Sequence, residues 1–147
     1  MRKLSAPLFL DVYEELSRPL NARNVAMLYV VGPKGEGSSG GAGPMLTKVE
    51  FLRSLTRLGE AAVKLVVDYS AKYVAAAPNE GRLPRVEEIR WCLVSGGKYK
   101  HLDATKEQVA RATLEGMNAV KDKDKPLTTF TYDEDVFRVA FEALNPS

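Results

Sequence analysis

Three short runs have strand character: VAMLYVV at 25–31, IRWCLV at 89–94 and LTTFTY at 127–132. Each is followed by a segment whose apolar residues recur at three- and four-residue spacing, the period of one helix face. This alternation constrains the fold most. Strands separated by helices run parallel and are joined by crossovers. A stripe of Leu8, Val12 and Leu16 adds a helix over 6–18, stopped by Pro19. The order is therefore α-β-α-β-α-β-α, an α/β fold in one domain over residues 1–147. A further short strand fits in 19–24 or 82–86. The continuous apolar runs suit strands covered on both faces.

Two capping boxes mark helix starts. Thr47-Lys-Val-Glu50 predicts a helix from about Leu46 to Ala76, interrupted or bent near Gly59. Thr105-Lys-Glu-Gln108 predicts another, with Val109, Ala112, Thr113, Gly116, Met117 and Val120 on its inner stripe. KDKDK at 121–125 reads as a solvated helix end and turn. Asp133 is expected to cap a last helix through Leu144, with Phe137 and Phe141 both in the core. Asp133, Glu134 and Asp135 complement the dipole of that helix.

Other functions are excluded by counting. The formal charge is +2, too mild to argue for nucleic acid, which is not expected as a partner. One cysteine and one histidine leave no disulfide and no zinc site. No metal and no cofactor are expected. Cys92 reads as a buried core thiol, Trp91 as core on the opposite side of the strand, and His101 as a surface residue. The first residues resemble the start of an amphipathic helix more than a signal peptide. No apolar run reaches the roughly 18 residues that span a membrane. A soluble, cytoplasmic protein is the expectation.

The carboxyl ends of parallel strands lie on one edge of a sheet, where ligands bind. GPKGEGSSGGAGP, residues 32–44, leaves the first strand there. It reads either as a flap over a ligand or, preferably, as a flexible surface loop. Ser95-Gly-Gly-Lys-Tyr-Lys100 leaves the second strand, and Tyr132-Asp133 the third. Successive amides of a glycine turn can aim at one oxyanion, with the Ser95 hydroxyl and Lys98 or Lys100 beside them. The stretch reads equally as a plain strand-to-helix connection.

YVVGP (29–33), SGGKYKH (95–101) and TFTYDEDVFRVAFEAL (129–144) together resemble the Gly-Pro strand, diphosphate loop and closing strand–helix of macrodomains. The resemblance covers residues 25–144. It implies a three-layer α/β/α sandwich with a small, mainly parallel sheet, binding ADP-ribose or a related nucleotide diphosphate. Ser95, Gly96, Gly97, Lys98 and Tyr99 would wrap the diphosphate, Tyr132 would sit beside the adenine or its ribose, and Gly32 would join them at the end of its strand. The hydrolytic motif of active macrodomains has no counterpart, so no catalytic residue is assigned. Two alternatives stand beside this one. The first is a structural or homodimeric α/β protein without a small ligand, joined through an edge strand or the 46–76 helix. The second is a hydrolase of a phosphorylated or ADP-ribosylated substrate, with Asp103, Glu36, Asp133 or His101 as base.

Overall fold

Glycine sets a close contact between two helices that the sequence marks at both starts. The structure, a computed structural model, describes residues 28–39, 44–76 and 86–146. Its elements are α1 (Lys48–Ala76), β1 (Glu88–Trp91), α2 (Lys106–Ala119), β2 (Leu127–Phe130) and α3 (Glu134–Leu144). The expected helix at 6–18, residues 25–27 of the first run and the possible strand positions 19–24 and 82–85 lie outside the described residues.

Both capping boxes form. Thr47 Oγ1 accepts the Glu50 amide at 3.3 Å, and the Glu50 carboxylate accepts the Thr47 amide at 3.2 Å and its hydroxyl at 2.7 Å. Those bonds, the side-chain one foremost, hold the Glu50 carboxyl below its usual pKa. At α2, Thr105 Oγ1 accepts the Gln108 amide at 3.1 Å, and Gln108 accepts the Thr105 amide at 3.0 Å. At the far end of α2, the Lys125 ammonium donates to the Met117 carbonyl at 2.6 Å. Partial burial there, with Lys121 nearby, pulls that ammonium below its ordinary pKa.

α1 runs through Gly59 without the interruption that was one of the two expectations there. Gly59 serves packing instead. A Cβ there would strike the Thr113 carbonyl of α2 and lie 3.2 Å from Met117 N. A Cβ at Gly116 would strike the Thr56 carbonyl of α1, 2.7 Å from its carbon and 2.9 Å from Glu60 N. The two backbones therefore meet at a Gly59–Gly116 crossing. Around it lie Phe51, Leu55, Leu58 and Val63 of α1 and Val109, Leu114 and Met117 of α2, all buried.

β1 and β2 pair in parallel, with Ile89 opposite Thr128 and Trp91 opposite Phe130. This is the pairing that a strand–helix–strand order requires. Among the described residues the protein is thus a small α/β unit: a two-stranded parallel sheet and three helices. The second run is not covered on both faces. Ile89 and Trp91 are buried, while Glu88, Arg90 and Cys92 are exposed. Such alternation marks a sheet with one wet face. A helical layer on that wet face, needed for a three-layer sandwich, is not among the described residues.

The same alternation corrects Cys92, which is exposed rather than a core thiol. Trp91 is core, as expected. Residues 28–31 form no strand, although Leu28 and Val30 pack on the core and Tyr29 and Val31 face outward. In α3, Phe137 is buried and stacks on Phe130 with ring centroids 3.9 Å apart, but Phe141 is 50% exposed. Phe141 belongs to the rim of the helix, since Ala140 and Phe137 already occupy its buried side. Asp133 stands at the N-cap of α3 in a left-handed conformation and makes no capping bond.

Candidate functional site

The strands end level with one another, so the chain leaves both at one edge. From β2, the Thr131 amide still reaches the Trp91 carbonyl at 2.8 Å. From β1, the chain turns at once, with the Val94 amide on Cys92 O and the Gly96 amide on Leu93 O. A second turn closes with the Lys100 amide on Gly97 O, and a third with the Ala104 amide on His101 O, which delivers the chain to α2.

The 32–44 glycine loop comes to the same edge. The Gly35 amide donates to Tyr99 O, the Leu102 amide to Glu36 O, and the Ser95 hydroxyl to Pro33 O at 2.8 Å. On its other side, the Leu46 amide donates to Lys34 O and the Glu36 amide to Leu46 O. The expected flexible loop is, over residues 33–38, a segment tied on two sides. Segment 33–36 is therefore tied to 95–102, and residue 131 to Trp91 at the end of β1.

His101, expected at the surface, is the buried strut of this assembly at 5% exposure. Its Nδ1 accepts the Asp103 amide at 3.0 Å, so the proton of the neutral ring sits on Nε2, 3.9 Å from the Glu36 carboxylate. Its ring lies 6.3 Å from that of Phe51. Gly35 permits the approach, because a Cβ there would lie 2.7 Å from His101 N. A buried strut between a helix and two loops is poorly placed to act as a general base.

The sequence-derived ligand residues fall into two groups. Ser95, Gly96 and Gly32 are occupied with structure: the Ser95 hydroxyl and Gly96 amide are bonded as above, and a Cβ at Gly32 would strike the Ser95 hydroxyl and lie 2.7 Å from Val94. Gly97 and Lys98 are exposed and Tyr99 is half-buried. Their three consecutive amides make no hydrogen bond among the described residues, and a Cβ at Gly97 would meet nothing within 4 Å. Lys98 is exposed. Lys100 is not equivalent to it, since its ammonium donates to the carbonyls of His101 and Ala104. Tyr132 is 78% exposed.

Sequence reasoning passed over several groups here. The Lys34 ammonium lies 5.7 Å from the centre of the Tyr99 ring, a cation–π contact. Lys106 reaches Asp133 at 3.4 Å. A shallow depression, lined by Phe130, Glu134, Phe137, Arg138 and Phe141, opens beside the Tyr132–Asp133 junction. Among the described residues, the non-glycine positions with positive φ are Ser95 at 60°, Tyr132 at 62° and Asp133 at 49°, and all three lie on this edge. Such backbone costs roughly 1–2 kcal/mol per residue, and strain of this kind gathers at functional sites.

Over 120 residues the chain is 32% identical to the DNA/RNA-binding protein ALBA4 of Plasmodium falciparum (isolate 3D7). It is 31% identical, again over 120 residues, to the protein of the same name from Plasmodium yoelii yoelii. Each match covers 81% of this chain but only 30% and 29% of the relatives, so the chain spans under a third of their length. No family model and no solved structure matches.

These relatives overturn the macrodomain resemblance, and with it ADP-ribose as the ligand and the exclusion of nucleic acid as a partner. The resemblance rested on three short stretches, whereas the relatives match most of the chain. The geometry accounts for the error, because Ser95 and Gly96 make a strand-to-loop turn that looks like a diphosphate loop when read as letters. No helix among the described residues is long and apolar enough to cross a membrane. No group of three or more potential ligands there could hold a metal.

Proposed function

We propose that this chain is an Alba-type unit that binds DNA or RNA at the edge where segments 33–36, 97–100 and 131–133 meet. The observation that carries this reading is the identity with two proteins named as DNA/RNA-binding, over 81% of the chain. The geometry supplies a mode. The unbonded amides of Gly97, Lys98 and Tyr99 suit a phosphate oxygen, with the exposed Lys98 in the same turn and the Lys34 ammonium 5.7 Å from the Tyr99 ring. Ser95, Gly96, Gly32 and His101 position that turn rather than touch the ligand. Contacts of this kind recognise the phosphate backbone and leave base sequence unread. A formal charge of only +2 is no obstacle, because the field that matters is local to the edge.

Binding of a labelled oligonucleotide of about 20 nucleotides, followed by fluorescence anisotropy at low salt, tests the proposal. Dissociation constants at or below about 10⁻⁴ M are expected for single strand, duplex or both. The double variant Lys34→Glu/Lys98→Glu should weaken binding at least about tenfold without lowering Tm by more than a few degrees. Absence of binding to either form at low salt would refute it.

A further inference from the structure

The edge carries more aromatic surface than phosphate binding requires. We infer that it takes unpaired nucleotides, so that single-stranded nucleic acid binds in preference to duplex. Bases are held on Tyr132 and in the depression at α3, while the sugar-phosphate backbone crosses the Gly97–Tyr99 turn. The inference rests on the nucleic-acid reading above and narrows its ligand.

Tyr132 has no packing role that would justify its conformation. It is 78% exposed, yet it is held at φ 62°, followed by Asp133 at 49°. A bulky residue there gains nothing for the fold that asparagine or glycine would not supply with less strain. What the conformation does achieve is an aromatic ring presented to solvent at the end of β2. Two residues further on begins the depression lined by Phe130, Glu134, Phe137, Arg138 and Phe141. Its floor is the Phe130–Phe137 stack, and half of Phe141 stands free at its rim. Arg138 lies on the same rim, 3.3 Å from Asp135.

Aromatic rings and a guanidinium plane are the groups on which splayed bases stack. In a duplex the base faces are covered by neighbouring pairs, so these groups would have nothing to meet. The occupant is chosen by continuity. β2 ends beside Trp91 of β1, and the chain leaving β1 leads through two turns to Gly97–Tyr99, where the Lys34 ammonium meets the Tyr99 ring. Apolar stacking surface at one end and cationic, amide-rich surface at the other match the two halves of a nucleotide. The charges agree as well. Asp133, the acid nearest Tyr132, is held by Lys106, and Asp135 by Arg138. Glu134 remains on the side of the bases, not of the phosphates.

The test uses the full chain with labelled oligothymidylate and oligouridylate of about 20 nucleotides and a mixed-sequence duplex of equal length. Single strands should bind at least tenfold more tightly than the duplex. Tyr132→Ala should weaken single-strand binding by roughly tenfold, weaken duplex binding distinctly less, and be rescued by Tyr132→Phe. Phe141→Ala should act in the same direction. Lys98→Ala should weaken both forms. Equal affinity for the two forms, or a Tyr132→Ala loss shared equally between them, overturns the single-strand inference and leaves nucleic-acid binding standing. Loss of binding to every probe by the unmodified chain refutes the underlying reading instead. A change of oligomeric state in Phe141→Ala, read by light scattering, assigns the depression to a second copy of the chain and also overturns the inference. Thermal melting of each variant separates loss of contact from loss of fold.

Discussion

Replacing Gly116 with alanine should destabilise the protein, although helix propensity argues the opposite. Gly116 lies inside α2, and an alanine in a helix interior is favoured over glycine by roughly 1 kcal/mol. The crossing with α1 reverses the sign. The added methyl would sit 2.7 Å from the Thr56 carbonyl carbon and 2.9 Å from Glu60 N, with the Thr56 oxygen closer still. Carbon atoms pack at about 3.5–4.0 Å, so α1 and α2 must separate by about 1 Å or more. Separation opens gaps beside Leu55, Leu58, Val109 and Thr113, which are buried at that contact. Overpacking of this kind costs about 1–3 kcal/mol, and two backbones offer no flexible side chain to give way. Net destabilisation of about 2 kcal/mol is expected. In a chain of this size that lowers Tm by roughly 5–10 °C. Differential scanning calorimetry or urea titration reads it. Gly97→Ala is the control, since open space surrounds that position, and it should change stability by less than about 0.5 kcal/mol. A Gly116→Ala protein as stable as the parent would refute the close crossing.

Acid should remove one increment of stability through Glu50. Its folded pKa lies below the usual carboxyl value, so the increment is complete above the unfolded pKa and is lost as pH falls through the folded one. Glu50→Gln should flatten melting temperature against pH in that acid window. Lys100→Met should lower stability by about 1–2 kcal/mol, because the Ala104 carbonyl loses its donor and the His101 carbonyl one of its two. It should weaken nucleic-acid binding only in proportion to loosening of the turn, as hydrogen exchange at Gly97–Ala104 would show. If Lys34 and Lys98 each neutralise one phosphate, log K for a single strand should fall with log salt at a slope of about −1.4. A slope near zero would contradict that assignment. Tyr132→Asn should hold or raise Tm, since asparagine tolerates the left-handed region, while single-strand affinity drops.

Helix starts were legible because a capping box is a local device: Thr47 with Glu50 and Thr105 with Gln108 each close within four residues. The parallel pairing of β1 and β2 followed from element order alone. What failed depended on contacts between distant segments. Gly59 looks like a helix defect until α2 is laid against it. His101 looks like a surface residue among lysines until Glu36 and Phe51 close around it. Cys92 and Phe141 were assigned to the core because an apolar letter was taken for a buried one, whereas the strand alternates and α3 buries only one narrow side. Three turn motifs suggested a macrodomain because turns of similar shape need similar residues whatever they serve. The approach of Lys34 to the Tyr99 turn was hidden by the total, in which 19 acidic residues nearly balance 21 basic ones. Lys34 and Lys98 gather only through folding.

The tie from the Ser95 hydroxyl to Pro33 O joins residues 62 positions apart. All of α1 and β1 lie between them. Closing so long a circuit is slow and entropically unfavourable until the intervening helix has docked. The edge is therefore expected to close late in folding, after the helix pair at Gly59 and Gly116 has drawn the two loops within reach. A nascent chain released before residue 102 carries both glycine loops and yet has no assembled edge. During synthesis, the lysines stay dispersed along the chain until the rest of the domain is in place.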